Sequence, residues 1–365
     1  MRVAVRDVLG SQQFGLTAII VLLGIVLTFA AGSHTDAAGV THNNFLNSYT
    51  LIQVATDASF FAIMAVGATL VIVSGGIDLS VGAVYAVAGV TMALVLRAVG
   101  PVSPTATVLI GMVTALGVGL LSGLLNGAMV VGLNVHPFII TLGTMWVLRG
   151  ISFVSSHAES ILVPPSLMMA AKATLGLGGA LSPIPMLAMI LVTIVGSIYL
   201  TRTVMGRHIV AVGGNPEASR FSGLRLGRVQ IGVYVLSGLT AGIATFLGAS
   251  FYGSASCADA NGYELYVIAS AVVGGASLTG GKGSAVSATL GAILIVMMRQ
   301  AIRTMHLDQN YEWIIVGTAI IVAVVLDRHG TTLLARRMAR RATKGVGPAD
   351  ARVASSEAPP SVMVS

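Results

Sequence analysis

Long apolar runs, broken by glycine and by short polar loops, dominate the pattern of this chain. A helix needs about 17–25 predominantly apolar residues to cross a bilayer. Residues 14–32, 184–200, 229–252, 284–301 and 311–326 read directly as such spans. Residues 59–74, 77–96, 106–131, 136–153 and 264–278 read as further spans interrupted by Gly or Asp, making ten. The pattern predicts an all-α polytopic membrane protein. Composition agrees: 55% of the 365 residues are hydrophobic and 9% charged, against roughly 25% charged in a soluble domain. Mean hydropathy is +0.90. The first run follows Arg2 and Arg6. Its apolar core is longer than the roughly 7–15 residues of a signal peptide and lacks a clean Ala-x-Ala site, so it reads as a retained helix.

Charge adds orientation, because Lys and Arg stay on the cytoplasmic side. With ten spans and the N-terminus inside, fifteen of the twenty basic residues fall on the inner side; Arg97, Arg149, Lys172, Arg299 and Arg303 fall at or near outer ends. This predicts a multi-pass protein of the cell inner membrane with both termini cytoplasmic. Topology then accounts for the net charge of +7 without a nucleic-acid partner. A transmembrane domain is expected over residues 1–327, with a cytoplasmic loop over 202–228 and an outer loop over 155–183 able to carry a short surface helix. The tail, 328–365, is basic and then rich in Pro, Ser and Ala. With little to bury it reads as disordered, its arginines near anionic headgroups. One cysteine, Cys257, excludes an intramolecular disulfide, and seven scattered histidines show no metal-ligand spacing.

The glycine-rich stretch VVGGASLTGGKGSAV, residues 272–286, invites comparison with a phosphate-binding loop. That loop needs Gly, four residues, then Gly-Lys-Ser or Gly-Lys-Thr. Ala276 stands where the first Gly belongs and Gly283 follows Lys282, so the match fails twice. The stretch instead echoes an earlier one: VSGGIDLSVG (73–82) aligns with VVGGASLTGG (272–281), and LNVHPFIITLGT (133–144) with LDQNYEWIIVGT (307–318). Duplicated halves are common in transporters, whose path lies at the repeat interface. The offsets, 199 and 174, leave the relative orientation of the repeats open. Non-helical backbone at membrane depth is tolerated only inside protein or beside a watery cavity. Gly75, Gly76, Gly274 and Gly275 therefore read as breaks bordering a translocation path. Asp78, Ser80 and Thr279 read first as helix caps, with solute contact as the alternative, and Ser277 as a cap of its own helix. Asn261, three residues before Glu264, resembles a capping box.

The loop 202–228 carries five arginines against one glutamate, and a cytoplasmic partner is expected to dock there. Asn215 and Pro216 suit the cap and first position of a short helix, Glu217 its first turn and Gly223 its end. Here a family resemblance enters. Glu217-Ala218-Ser219 followed by Gly223 resembles the Glu-Ala-Ala…Gly coupling loop of ABC importer permeases. GRHIVAVGGNPEASRFSGL, SGGIDLSVG, HPFIITLGTMWVLRGISF and GYELYVIASAVVGGASLTGGKGS look like the ribose-type branch, the branched-chain amino acid/ribose permease family, across most of residues 53–327. Ser219 departs from the second Ala of that loop. The resemblance implies a permease subunit, usually a homodimer, joined to two ABC ATP-binding subunits and fed by a periplasmic or lipid-anchored sugar-binding protein. Coupling to the ATPase would then fall to Gly206, Gly213, Asn215, Glu217, Ala218 and Gly223. ATP and magnesium would be bound by the partner, leaving no catalytic residue and no cofactor in this chain. Import of a monosaccharide or related polyol is the implied function. The rival class is an ion-coupled secondary transporter of a small polar solute. It would need membrane-embedded carboxylates, for which Asp78 is the main candidate, the other acids reading as helix ends or loops.

Overall fold

The computed structural model describes residues 12–35, 39–173 and 182–318, with the isolated positions 321, 322 and 325. The described residues up to 318 form one compact unit. The tail expected over 328–365 lies outside the described residues, as does much of the last expected span, of which residues 311–318 are helical. In chain order the elements are α1 (Gln12–Ala30), a hairpin of β1 (Ser33–Thr35) and β2 (Thr41–Asn43), α2 (Ser48–Val73), α3 (Val81–Val99), α4 (Pro104–Leu133), α5 (Pro137–Ser156), β3 (Ile161–Leu162) and α6 (Pro165–Ala171). Then follow α7 (Ile184–Arg202), α8 (Val204–Gly214), α9 (Pro216–Phe221), α10 (Leu226–Tyr252), β4 (Ser254–Ala255), α11 (Tyr263–Val273) and α12 (Ala285–Thr304). Among the described residues, eight helices are long and apolar enough to cross a membrane: α1 to α5, α7, α10 and α12.

The sequence pattern places the first turn of most helices well. Pro stands at the start of α4, α5, α6, α7 and α9, where its missing N–H costs nothing and its φ is already helical. Three boundaries differ from expectation. Helix α2 begins at Ser48, well before residue 59, because Asn47 caps it and Asp57 is neutralised inside the bundle. Helix α3 begins at Val81, not at residue 77. The expected span 264–278 is an 11-residue helix, α11. At 1.5 Å per residue it is about 16 Å long, roughly half of a ~30 Å hydrocarbon core. Its capping position is Gly262, at φ 81° and with no side-chain cap, so Asn261 is not the cap. Nor does Ser277 cap a helix, since the chain stays irregular to Ser284, which caps α12.

Helix α2 is the axis of the bundle. Its apolar stretch is wholly buried, with α7, α8, α10, α11 and α12 packed around it. By contrast α1, α4, α5 and α7 turn Phe29, Leu121, Trp146, Val154 and Leu191 outward, as lipid-facing helices do. The tightest pairing is α4 with α10. Gly119 and Gly123 on α4 face Gly238 and Gly242 on α10 so closely that a Cβ on any of the four would strike backbone. Small residues at four-residue spacing permit this approach of two helices. At one end of the bundle lie α8, α9 and their arginines; at the far end lie the β1–β2 hairpin, α6 and the β3–β4 pair, which joins Ile161 to Ala255 and Leu162 to Ser254. The short surface helix foreseen in the 155–183 loop is α6.

The seam can be tested within one helix. A Cβ at Gly119 would strike the Gly238 carbonyl, whereas at Gly117 it would meet nothing within 4 Å. Gly119→Val is expected to lower stability by about 1–3 kcal/mol or more, and Gly117→Val by no more than about 0.5 kcal/mol. Thermal unfolding in detergent reads the difference, and equal midpoints would count against the seam.

Candidate functional site

Helix α2 ends in a Schellman motif, and so does α11. Gly75 and Gly275 both sit at φ +87°. The Gly75 N–H donates to the Ile72 carbonyl (2.9 Å) and the Gly76 N–H to that of Val71 (2.9 Å); likewise Gly275 donates to Val272 (2.8 Å) and Ala276 to Ala271 (2.9 Å). The left-handed residue after the last turn is what requires glycine. The backbones thus equate Gly75 with Gly275, one residue out of step with the alignment of Gly75 on Gly274. Both of these helices end toward the arginine-rich end, so the first echo is parallel. The second is not: α5 starts at that end, whereas the helix at 311–318 starts at the far end, where Glu312 pairs with Arg299. The two echoes therefore belong to no single repeat.

The two breaks meet. The Gly281 N–H donates to the Val73 carbonyl across 2.8 Å, and Gly213, near the end of α8, packs flat against both. A Cβ on Gly213 would collide with the Val73 carbonyl oxygen and stand 2.7 Å from the Gly281 nitrogen. One backbone junction thus ties the segment 204–221 to the end of α2 and to the irregular stretch between α11 and α12. Gly206 lies in the first turn of α8, where the capping Thr203 hydroxyl accepts its N–H (3.0 Å). In α9 the side-chain Oδ1 of Asn215 accepts the Ala218 N–H (2.9 Å), Glu217 lies in the first turn, and Gly223 at φ +81° follows the helix. Glu217, Ala218 and Gly223 are solvent-exposed.

Beyond the first break, residues 77–80 are held by three helices. Asp78, 3% exposed, accepts the Ser80 N–H (2.9 Å) and hydroxyl (2.6 Å) through Oδ1 and the Ser237 hydroxyl of α10 (2.8 Å) through Oδ2. Asn126 of α4 donates to the Ser80 hydroxyl (2.7 Å). Tyr234 of α10 and Thr141 of α5 both donate to the Ile77 carbonyl (3.2 Å each). The cap readings of Asp78 and Ser80 are corrected accordingly. Ser80 occupies the capping position of α3 but bonds no first-turn N–H; its hydroxyl is engaged by Asp78 and Asn126. A buried carboxylate needs donors for its lone pairs, and here two come from Ser80, two residues on, and one from Ser237 of α10. Thr279 is apart from this network, exposed in a turn with its hydroxyl 2.9 Å from that of Ser277.

Toward the far end the structure assembles groups that span prediction scattered. Asp57, expected outside a span, lies within α2, where it pairs with Arg303 (3.2 Å) and accepts from Gln53 (2.9 Å) and Tyr252 (3.0 Å). Arg299 pairs with Glu312 (2.7 Å) and lies over the rings of Phe61 (5.3 Å) and Tyr266 (5.4 Å). Arg149 of α5 donates to the carbonyls of Cys257 (2.9 Å), Asp259 (2.6 Å) and Ala260 (3.2 Å), and so shapes the loop before α11. The only sequence signal for this cluster is the presence of Arg149, Arg299, Tyr85 and Tyr263 in otherwise apolar stretches. Among the described residues, no group of three or more His, Cys, Asp or Glu is placed to hold a metal ion.

Eight membrane-length helices and broken helices meeting at a buried backbone junction define a multi-pass transport permease. The family model described as branched-chain amino acid transport system / permease component matches residues 50–325, and the chain belongs to that family. It is 33% identical to the ribose import permease protein of Escherichia coli strain K12 over 317 residues, 87% of this chain and 93% of the relative. It is 33% identical to the D-allose transport system permease protein of the same strain over 287 residues, 78% and 85% of the two chains. To the fructose import permease protein of Rhizobium meliloti it is 31% identical over 289 residues, 78% and 79%. No solved structure gives a significant match.

The Asp78 network separates charge from geometry. Asp78→Asn keeps an acceptor for Ser80, whereas Asp78→Ala leaves buried donors without one, at about 1–3 kcal/mol for each group left unpaired. Asp78→Ala is expected to lose stability in detergent and most uptake, and Asp78→Asn less than half as much. Equal losses in the two variants would show that the charge itself is required.

Proposed function

We propose that this chain is the permease subunit of an ATP-driven ABC importer for a monosaccharide or a related polyol. It forms the translocation pathway, as a homodimer, between a sugar-binding protein outside and two ATP-binding subunits inside. The observation that carries the reading is the capped, exposed helix α9, joined through α8 and Gly213 to the end of α2 and to the break between α11 and α12. A push or pull on α9 by a partner that changes shape on binding ATP has a direct backbone route to the residues that interrupt α2–α3 and α11–α12. Gly206, Asn215, Glu217, Ala218 and Gly223 shape the docking segment, and Gly75, Gly76, Asp78, Ser80, Gly274, Gly275 and Thr279 border the path. The ribose import, fructose import and D-allose transport named for the relatives support a sugar as cargo. ATP and magnesium belong to the partner, and both termini face the cytoplasm.

Reconstitution in liposomes with the ATP-binding and sugar-binding partners tests this. Uptake is expected to need ATP and both partners; uptake by the permease alone under a sodium or proton gradient would overturn the reading. Within the complex, Glu217→Arg and Gly223→Val are expected to cut uptake about tenfold or more, roughly 1.4 kcal/mol or more of lost docking, with the protein still in the membrane. Normal uptake and normal ATPase association in both variants would remove the coupling role of α9.

A further inference from the structure

Near the far end, between α3, the last turns of α10, the loop before α11 and the first residue of α11, lies a cavity of about 100 Å3. A water needs about 10–15 Å3 of such space, so the cavity has room for roughly half a dozen waters or one small ring. Its walls include Tyr85, Gly248, Tyr252, Asp259 and Tyr263. Tyr85 is 6% exposed, and its hydroxyl has no hydrogen-bond partner among the described residues. That hydroxyl occupies room which Gly248 leaves, since a Cβ there would collide with it. Asp259 uses Oδ2 to accept the Ser256 N–H (2.8 Å), leaving Oδ1 without a hydrogen bond among the described residues. The loop bearing Asp259 is fixed by the three Arg149 contacts. The adjacent start of α11 carries no side-chain cap, and in transporters such half-helix N-termini face polar cargo.

Three phenol rings, a buried free hydroxyl and a held carboxylate form a cavity with apolar faces and polar corners. A sugar ring has the complementary chemistry, with C–H faces that pack on aromatic rings and hydroxyl edges that bond carboxylate and phenol. We infer that this cavity is a sugar-binding station within the permease, and that Tyr85 and Asp259 discriminate among sugars there. The inference rests on the sugar-import reading above.

The test uses the full reconstituted transporter with radiolabelled D-ribose, D-allose and D-fructose as probes. Ratios of uptake among the three sugars are compared, so that differences in protein abundance cancel. Tyr85→Phe and Asp259→Asn are each expected to change at least one ratio by about fivefold, the equivalent of one hydrogen bond. Two variants are used so that poor folding of one leaves the other to decide. Wild-type ratios retained in the variants that fold would overturn this inference and leave the import function standing. A wild-type transporter that moves none of the three sugars with ATP would overturn the sugar reading, and this inference with it.

Discussion

A peptide group that leaves a helix inside a membrane must find its partner within the protein, because hydrocarbon offers none. The organisation of this permease follows from how that requirement is met where α2 and α11 stop. Each stop closes most of its own carbonyls with a Schellman motif, and the carbonyl of Val73 is closed by Gly281 from the other break. That bond brings two irregular segments side by side. Gly213 fits against them only because it has no side chain, and through it α8 and α9 are anchored to the core of the bundle. Stability and coupling therefore share the same few backbone atoms. A change that loosened the junction would expose unpaired peptide groups as well as detach the segment proposed to meet the ATPase.

The polar groups follow one logic at both ends of the bundle. Asp78 is surrounded by hydroxyls and one backbone N–H, and Asp57 by Arg303, Tyr252 and Gln53. Burying a carboxylate is tolerable when its lone pairs are taken up by donors already in place. Each such set fastens helices distant in sequence: α3 to α10 and α4 in one case, α2 to α12 and α10 in the other. The far-end groups differ in one respect, since beside them the packing leaves a cavity with a phenol and a carboxylate oxygen that have no hydrogen-bond partner among the described residues. Carboxylates taken up by donors from neighbouring helices hold the bundle together, whereas polar atoms facing a void are available to a ligand.

The class of protein was legible in the chain, and the reasons are local. Apolar runs of bilayer length mark spans because length and hydropathy are properties of consecutive residues. The α9 segment was readable for the same reason: Asn215 as cap, Pro216 at the first position, Glu217 in the first turn and Gly223 at the stop all act within one turn. The half-length of α11 was not readable, because residues 274–278 remain apolar enough to extend a hydropathy run while the backbone turns at Gly275. The start of α2 was missed because Asp57 looks like a span-breaking charge until Arg303, 246 residues away, is placed beside it.

By itself, then, the sequence determined the membrane class, most helix positions, the capped α9 segment and the family, all set by neighbours in the chain or by matching stretches. Only the tertiary structure decided that Gly213 meets Val73 and Gly281, that Asp78 binds Ser237, and that Tyr85, Asp259 and Tyr263 enclose a cavity. Those contacts join residues more than a hundred positions apart in most cases. No local propensity encodes them; they arise when helices pack closely enough that each buried polar group must take the partner the bundle provides.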